Sequence, residues 1–466
     1  MALLASISGI RGTVGGAPGD NLTPVEVVGF AAAYGTWLIA QGGPRRVVLG
    51  RDARVSGPVV EGLVAQTLVA LGFEVLQLGL STTPTVEMAV TEAGAGGGIV
   101  LTASHNPAEW NALKLLNAAG EFLSAAEGAE ILDLYRRQAF SFAPYTGLGR
   151  VTPAPHYLDR HIEAILAHPL VDGPAIAARG FRVAVDGINS SGAIAIPRLL
   201  SALGVTEVAV VNAEPHGQFA HNPEPLPEHL SEICSLVADR SLDLGIVVDP
   251  DVDRLAFVMD GGAFMGEEYT LVTAADYVLQ HRPGPVVSNL SSSRALADLA
   301  ARYGQPYYAA AVGEVNVVAK MKAVGATLGG EGNGGVIDPS LHYGRDALQG
   351  VALVLSYLAT SGKTLSQLRA GYPQYAMAKE KATLTDPTAL DAVLDAAAAH
   401  YHTAEVDRTD GVKVNFATSW LHLRKSNTEP IVRIYTEAPT PQAAQTLAAE
   451  GKALLAQLAQ TLTSRA

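Results

Sequence analysis

The sequence is poor in cysteine, in basic residues and in long apolar runs, and each shortage excludes a class of protein. Cys234 is the one cysteine among 466 residues, so no disulfide can form within the chain. Lysine and arginine total 32 against 45 aspartates and glutamates, which gives a net charge of -13. Nucleic acids and membrane surfaces attract basic faces, so neither partner is expected. No stretch approaches the ~20 continuous apolar residues of a membrane span.

The opening residues also lack the features of a secretory signal. Residues 1–5 contain no basic region ahead of a long apolar run. Together with the near absence of cysteine, this predicts a cytoplasmic protein. Apolar residues make up 48% of the chain. Because one hydrophobic core stops growing near about 250–300 residues, we expect roughly three or four domains.

A pattern of strands and helices occurs three times along the chain. In each unit, two apolar runs separated by a helical segment precede a third run that ends in a polar turn. Strands that alternate with helices are typical of mainly parallel sheets covered on both faces, so the pattern predicts three similar α/β domains. The runs are residues 46–50, 73–78 and 98–101, then 181–185, 205–211 and 244–248, then 284–288, 306–310 and 325–328.

The end of the chain follows a different pattern. Residues 412–416, 420–424 and 431–435 alternate apolar and polar side chains, as half-buried antiparallel strands do, and an alanine-rich helical segment spans 441–460. This predicts a smaller α+β domain after the three α/β domains. Turn-forming residues and completed repeat units then mark the expected domains, which are residues 1–150, 151–255, 256–370 and 371–466.

The third run of each repeat leads into a loop with reactive side chains. Ligands of such sheets bind beyond the carboxyl ends of the strands, so these loops are the expected site. Three carboxylates at alternate positions after the second unit suit one hard cation such as Mg²⁺, although a solvated acidic turn is the structural alternative. An EF-hand is excluded, because its glycine and final glutamate do not follow at the required spacing. The side chains are Ser104, Asp249, Asp251, Asp253, Glu331 and Asn333.

The first of these loops, residues 102–107, reads Thr-Ala-Ser-His-Asn-Pro and is expected to expose Ser104. A serine beside a histidine is ordinary loop content when taken alone. A hydrolase triad is not indicated, because neighbours on a turn usually point apart and the nucleophile-elbow pattern is absent. The serine therefore needs another source of activation.

A fourth segment, residues 424–430, gathers hydrogen-bond donors around a turn between two predicted strands. Guanidinium, hydroxyl and amide groups together suit a phosphate dianion, although charged residues also serve the wet face of a strand pair. Asparagine within the turn tolerates a left-handed backbone. The candidate phosphate-binding residues are Arg424, Ser426, Asn427, Thr428 and Arg433.

These four segments, in this order, resemble the α-D-phosphohexomutases, the family of phosphoglucomutase, phosphomannomutase and phosphoglucosamine mutase. The resemblance runs from residues 8–12 to about residue 437. It implies three similar α/β domains and a C-terminal α+β domain, heart-shaped around a central cleft. It also implies a hexose phosphate substrate, Mg²⁺ held by the aspartates and the serine oxygen, and a hexose 1,6-bisphosphate activator. A monomer or a homodimer would fit.

The resemblance also implies roles for single residues. Ser104 would carry a phosphoryl group, His105 would support it by hydrogen bonding, and Arg11 and Lys114 would stabilise the migrating charge. Three residues have simpler alternatives: Lys114 as a solvated lysine, Glu314 as a surface charge, and Arg345, with Asp346, as a helix cap. The implied sugar-binding residues are Arg254, Glu314, Glu331, Asn333 and Arg345.

The sugar-binding loop departs from the common bacterial form. Asn333 and Gly335 stand where many relatives carry serine and histidine, and Asn427 replaces a usual glycine in the phosphate loop. The form of residues 330–337 with 344–346 is similar to that of some phosphoglucosamine mutases and related archaeal mutases. This implies interconversion of glucosamine 6-phosphate and glucosamine 1-phosphate. The alternative is a phosphomannomutase/phosphoglucomutase of dual specificity.

Two other functions remain as rivals from the residues alone. A serine phosphatase of the alkaline type needs a two-metal site, whereas one aspartate triplet is visible. A calcium-stabilised binding protein without turnover would use the same triplet as a structural site. Release of free phosphate would favour the first rival, and absence of phosphate exchange with a sugar would favour the second.

Overall fold

The structure is a computed structural model that describes residues 3–6, 9–383, 390–425 and 431–463. Its first unit contains a seven-stranded sheet of order β1-β2-β6-β5-β3-β4-β7. The elements are β1 (Leu4–Ser6), β2 (Gly9–Thr13), α1 (Pro24–Ala40), β3 (Arg46–Arg51), α2 (Gly57–Ala70), β4 (Glu74–Leu80), α3 (Thr83–Glu92), β5 (Gly97–Leu101), β6 (Trp110–Leu116), α4 (Ala125–Arg137) and β7 (Arg150–Pro153).

The second unit contains a four-stranded sheet of order β11-β10-β8-β9. Two helices precede the sheet, and the remaining helices connect its strands. The elements are α5 (Tyr157–Leu166), α6 (Gly173–Arg179), β8 (Arg182–Asp186), α7 (Gly192–Ala202), β9 (Glu207–Val211), α8 (Ser231–Asp239), β10 (Leu244–Val248) and β11 (Leu255–Val258).

The third unit contains a four-stranded sheet of order β13-β12-β14-β15. Helices precede, connect and follow these strands. The elements are α9 (Glu268–His281), β12 (Val286–Asn289), α10 (Ala295–Arg302), β13 (Tyr307–Ala310), α11 (Glu314–Val324), β14 (Leu328–Glu331), β15 (Gly335–Ile337), α12 (Ala347–Ser361) and α13 (Leu365–Gly371).

The fourth unit contains a five-stranded antiparallel sheet of order β16-β20-β19-β18-β17. The sequence pattern identified its three central strands, and the two edge strands are additions. The elements are β16 (Ala376–Thr383), α14 (Leu390–His400), β17 (Glu405–Asp407), β18 (Val412–Asn415), β19 (Trp420–Lys425), β20 (Ile431–Ala438) and α15 (Pro441–Thr463).

The predicted fold class is confirmed: three α/β units with mixed, mostly parallel sheets precede an α+β unit. The repeat also has a fourth strand that the apolar pattern did not show. After the third strand of each unit the chain returns antiparallel to it, as β6 beside β5, β11 beside β10 and β15 beside β14. Each of the three functional loops is therefore the turn between a central parallel strand and its antiparallel neighbour.

The central strands are buried on both faces, which fits their continuous apolar sequences. Every residue of β5 and of β10 is buried. The second and third units share one continuous cluster of buried apolar side chains, because α12 packs against α5 and α6 as well as α9. No helix among the described residues is long and apolar enough to cross a membrane.

Candidate active site

Ser104 lies at the end of β5 and faces the aspartate loop. Its Oγ donates a hydrogen bond to Oδ2 of Asp249 at 2.6 Å, while His105 Nδ1 is 3.4 Å away. The expectation of an exposed serine is wrong, because Ser104 is only 7% exposed. The loop folds back against the second unit, so the hydroxyl is covered by the carboxylates that it contacts. The backbone of Ser104 has φ of +50°, a conformation that costs energy for a residue with a side chain.

A buried ion pair that sequence reasoning missed holds this turn in place. Arg54 is fully buried, and its Nε pairs with Asp52 at 3.0 Å. The other guanidinium nitrogens of Arg54 donate to the carbonyl oxygens of Ser104, Asn106, Pro107 and Trp110. The sequence signal was two opposite charges, 52 and 54, directly after an apolar strand. Their role is to fix the backbone of the serine loop.

The three aspartates of the second loop come together as the alternation predicted. Asp249, Asp251 and Asp253 are all fully buried, and each offers an oxygen within 4.8 Å of the others. Val252 between them has φ of +63°, which is unusual for a β-branched residue and bends the turn. The alternative of a solvated acidic turn is excluded by this burial.

The triplet has the properties of a cation site. The Oδ1 atoms of Asp251 and Asp253 have no hydrogen-bond partner within the part of the chain that the structure describes. Burial, together with the charges of Asp251 and Asp253, raises the pKa of Asp249 well above its usual range. Three carboxylates at this separation repel one another, and burial weakens their hydration. A hard divalent cation offsets both the repulsion between the carboxylates and their lost hydration, so the oxygen donors present fit Mg²⁺.

Lys114 supplies one of the positive charges beside the triplet. It lies on strand β6 and not on a helix, and its Nζ is 2.7 Å from Asp251 Oδ2 and 3.4 Å from Asp253 Oδ2. Although burial opposes the charge, Asp251 and Asp253 raise the pKa of Lys114 above its usual range. The alternative of a solvated lysine is therefore excluded.

Arg345 joins the aspartate loop to the sugar-binding loop predicted from sequence. Its three guanidinium nitrogens contact Asp253 Oδ2 at 2.7 Å, Glu314 Oε2 at 2.8 Å and Glu331 Oε2 at 2.9 Å. Glu314 is buried at the start of α11, so it is not a surface charge. Burial raises the pKa of Glu314 to about 7. The neighbouring Asp346 caps α12 by accepting from the backbone of Leu348 and Gln349, which confirms the capping alternative for the aspartate alone.

Backbone and amide groups fix the position of Glu331. Its Oε1 accepts hydrogen bonds from Asn289 Nδ2 at 2.7 Å and from the backbone of Gly313 at 3.0 Å. Asn333 lies beside it, with Nδ2 3.5 Å from Glu331 Oε2, and its Oδ1 accepts from the backbone of Gly335. The sequence shows Asn289 as a polar residue after an apolar run, but no sequence pattern relates it to Glu331.

Arginines from three units repel one another. The like charges of Arg433 and Arg254 add to the effect of burial and lower the pKa of Arg11. The Nε atoms of Arg11 and Arg254 have no hydrogen-bond partner among the described residues. Burial, then the charge of Arg254, holds the pKa of His105 well below its usual range. Although Arg254 also pairs with Glu224 at 3.5 Å, guanidinium nitrogens without hydrogen bonds are suited to an anion.

Arg424 and Arg433 flank the fourth predicted segment. They lie directly opposite each other on β19 and β20, an arrangement that repels unless an anion or a carboxylate intervenes. Arg424 Nε is 3.2 Å from Asp410 Oδ2, and Arg433 donates to the hydroxyl of Tyr435. Ser426, Asn427 and Thr428 lie outside the described residues. The described part of the segment thus presents two guanidinium groups on one face.

Comparison with known proteins places the whole chain in one family. Profiles of the phosphoglucomutase/phosphomannomutase family match residues 4–142 with alpha/beta/alpha domain I, 159–262 with domain II, 266–375 with domain III and 377–453 with the C-terminal domain. A phosphoglucomutase/phosphomannomutase of Thermococcus kodakarensis is 35% identical over 448 residues, 96% of each chain. A probable phosphoglucosamine mutase of Methanopyrus kandleri is 33% identical over 94% of this chain and 95% of its own.

A solved structure agrees with the sequence matches. The phosphoglucomutase/phosphomannomutase family protein of Burkholderia thailandensis has 27% identity, a TM-score of 0.85 and 98% coverage of both chains. Fold and comparisons together define an isomerase of phosphosugars. The chain belongs to the phosphoglucomutase/phosphomannomutase family, the α-D-phosphohexomutases, and its substrate class is hexose phosphates.

Proposed function

We propose that the chain interconverts glucosamine 6-phosphate and glucosamine 1-phosphate through a phosphoserine at Ser104. The observation that carries the proposal is the convergence of Ser104, the buried aspartate triplet and the arginine cluster. A serine hydroxyl that donates to a carboxylate at 2.6 Å, with the histidine nitrogen 3.4 Å away, is a poor place for hydrolysis by a histidine base. It is a suitable place for a phosphoryl group that is shared between protein and sugar.

The reaction conserves phosphate and needs no external acceptor. The bond between phosphorus and Ser104 Oγ breaks as a bond to the free sugar hydroxyl forms, and the proton of that hydroxyl ends on Ser104 Oγ, which regenerates the serine hydroxyl. The resulting sugar bisphosphate turns round, and its other phosphate returns to Ser104. Arg11 and Lys114 would stabilise the charge that spreads over the migrating oxygens. The same chemistry makes a hexose 1,6-bisphosphate the expected activator, because it phosphorylates Ser104 directly.

We propose that Asp249, Asp251 and Asp253 hold Mg²⁺ together with an oxygen of phosphorylated Ser104. Support comes from the unpaired Oδ1 atoms of two of the aspartates and from the hard oxygen character of the whole donor set. When bound, Mg²⁺ would neutralise charge on the transferring phosphoryl group. The protein would contribute a rigid cradle, since the turn that carries the aspartates is buried throughout.

The charge of the sugar loop supports an amino sugar. Glu314, Glu331 and Asp253 share the guanidinium of Arg345, and Asp253 also lies 3.4 Å from Lys114 Nζ, so three carboxylates face two cations there. An ammonium group at carbon 2 would offset that excess, whereas a hydroxyl would not. The second candidate is a dual phosphomannomutase/phosphoglucomutase. It is favoured by the name of the Thermococcus kodakarensis relative, which is as similar to this chain as the probable phosphoglucosamine mutase.

A substrate panel distinguishes the two candidates. We expect kcat/KM for glucosamine 6-phosphate to exceed that for the glucose and mannose 6-phosphates about tenfold or more, because a hydrogen bond to a charged group contributes roughly 1.5–3 kcal/mol. Glu331→Gln, which keeps the shape of the side chain, should lower kcat/KM for glucosamine 6-phosphate more than for glucose 6-phosphate. Preference for glucose or mannose by the unaltered protein would make the dual enzyme correct.

We also propose that Arg424 and Arg433 hold the phosphate that is not being transferred. Arg433→Ala should raise KM about tenfold or more and change kcat less, because a hydrogen bond to a charged group contributes roughly 1.5–3 kcal/mol. Steady-state kinetics with saturating Mg²⁺ would measure this. Arg408→Ala is the matched control, since Arg408 pairs with Asp395 on the exposed surface of the same unit. Equal KM values in the two variants would contradict the phosphate role.

Each of the four units would then have its own function. We propose residues 1–150 as the phosphoserine domain and 151–255 as the metal-binding domain. Residues 256–370 would be the sugar-binding domain, and 371–466 the phosphate-binding domain. Arg345 and Arg254 would contribute to sugar binding. Asn333 would shape the turn beside Glu331.

A further inference from the structure

A second cluster of metal-binding side chains shares no residue with the aspartate triplet. It brings together His161 on α5, His342 and Asp346 from the segment before α12, and Glu87 on α3. His161, Asp346 and Glu87 are almost completely buried, and the side chain of His342 is 13% exposed. One atom from each of His161, His342 and Asp346 lies within 4.8 Å of the others. None of these four side chains has a role in the phosphomutase reaction proposed above.

Two imidazole nitrogens face the same carboxylate oxygen. His161 Nε2 is 2.8 Å from Asp346 Oδ2, and His342 Nε2 is 3.3 Å from that atom. The other oxygen of Asp346 is already used, because it accepts from the backbone of Leu348 and Gln349 at the start of α12. The helix therefore fixes the carboxylate with one oxygen free, and both imidazoles point toward that free oxygen.

The far nitrogen of each imidazole has its own acceptor. His161 Nδ1 is 2.9 Å from Thr85 Oγ1, and His342 Nδ1 is 3.4 Å from Glu87 Oε2. Histidines that bind metals usually direct the second ring nitrogen to a hydroxyl, carbonyl or carboxylate, which fixes the tautomer and orients the ring. Both Nε2 atoms are hydrogen-bonded to Asp346 Oδ2 in this structure, and a metal ion bound by the three atoms would replace these two hydrogen bonds.

Glu87 adds a second buried carboxylate to the cluster. It is 2% exposed, neither carboxylate oxygen makes a hydrogen bond of good geometry among the described residues, and Oε2 lies 3.4 Å from His342 Nδ1. The carboxylate is pressed against the backbone of Gly344, where an added Cβ would lie 1.8 Å from Oε2. An unsatisfied buried carboxylate is costly. Two neutral imidazoles, two carboxylates and one divalent cation would together make a neutral group.

The geometry points to a zinc-type site with His161 Nε2, His342 Nε2 and Asp346 Oδ2 as ligands and Glu87 as the carboxylate that orients His342. Two imidazoles and one carboxylate form a donor set that Zn²⁺ accepts, with its fourth position open, whereas Mg²⁺ prefers oxygen ligands. The ion would tie α3, α5 and the segment before α12 to one another. Its function would be structural, because the ligands come from two separate elements that the ion would hold together.

Zinc binding to the full-length protein tests this inference. Wild type and His342→Ala are stripped with a chelator, saturated with Mg²⁺ and titrated with Zn²⁺, and the bound metal is counted after gel filtration. We expect His342→Ala to bind one equivalent less than wild type. The difference cancels any Zn²⁺ held by the aspartate triplet, which both proteins contain. Co²⁺ should give visible absorption bands typical of nitrogen ligation in wild type and not in the variant.

Two further variants keep the test decisive if His342→Ala folds poorly. Glu87→Gln retains all three ligands and should weaken Zn²⁺ binding about 10–100-fold, as loss of an orienting partner does. His402→Ala is the matched control, because His402 is exposed on the fourth unit and should bind Zn²⁺ like wild type. Zn²⁺ should also raise the Tm of wild type more than that of Glu87→Gln. Equal Zn²⁺ stoichiometry and affinity in wild type and the cluster variants would overturn the site and leave an ion-paired network.

Discussion

Ser104→Ala is expected to lower kcat by about 10³-fold or more, the loss typical of removing a nucleophile that acts as part of a unit. The hydroxyl is the atom to which the migrating phosphoryl group would be bound, and no other serine contacts Asp249 in the part of the chain described. The fold should survive, because alanine fits the same turn and loses one hydrogen bond. A coupled assay of hexose 1-phosphate formation measures the rate.

Labelling separates a lost carrier from a damaged site. Wild type incubated with a radioactive hexose 1,6-bisphosphate should retain label on the protein, and Ser104→Ala should not. Ser141→Ala serves as control, because Ser141 lies exposed on the same unit and should be labelled normally. Retention of more than a few per cent of activity by Ser104→Ala would mean that another group carries the phosphate.

Arg345→Met is expected to have the second large effect, on stability as well as on activity. The substitution leaves Asp253, Glu314 and Glu331 without the guanidinium that they share. Breaking a buried pair by removing one partner usually costs about 3–5 kcal/mol, because the remaining charge stays desolvated. Urea unfolding followed by circular dichroism should show the loss, and kcat/KM should fall with it, because Glu331 loses its orientation.

Two comparisons identify the cause of that loss. Arg345→Lys keeps a positive charge but lacks the three-nitrogen fork, so its stability should lie between those of wild type and Arg345→Met. Arg302→Met is the matched control, since Arg302 is exposed and donates to the carbonyl of Gly371. If Arg345→Met unfolds at the same urea concentration as Arg302→Met, the shared guanidinium is not stabilising the site.

Much of the site was predictable because its residues are close in sequence. The apolar third run of each repeat marks where a buried strand ends, and carboxyl ends of parallel strands are where ligand loops gather. The sequence therefore predicts one site that contains residues 104, 249–253 and 331. The structure brings these residues together. The alternation of the aspartates predicts that one turn presents all three carboxylates.

Contacts between distant residues were beyond such reasoning. Arg54 holds the serine turn through four carbonyl oxygens, and backbone acceptors leave no trace in the side-chain pattern. The sequence leaves a solvated Lys114 as an alternative because the strand that carries it, β6, is the antiparallel return that the apolar pattern does not show. Ser104 was expected to be exposed because a polar turn usually is, and burial by another unit overrides that tendency.

The three repeats, the different final unit and the loops that carry the reactive groups are readable from the amino-acid sequence. All of these depend on periodicity and on strand ends, which are local properties of the chain. Which charges meet is a property of the folded molecule: Arg345 contacts three carboxylates, and Lys114 contacts two of the aspartates. The physical reason is that ion pairing depends on distances of a few ångströms between residues far apart in sequence, and the packing of the units sets those distances.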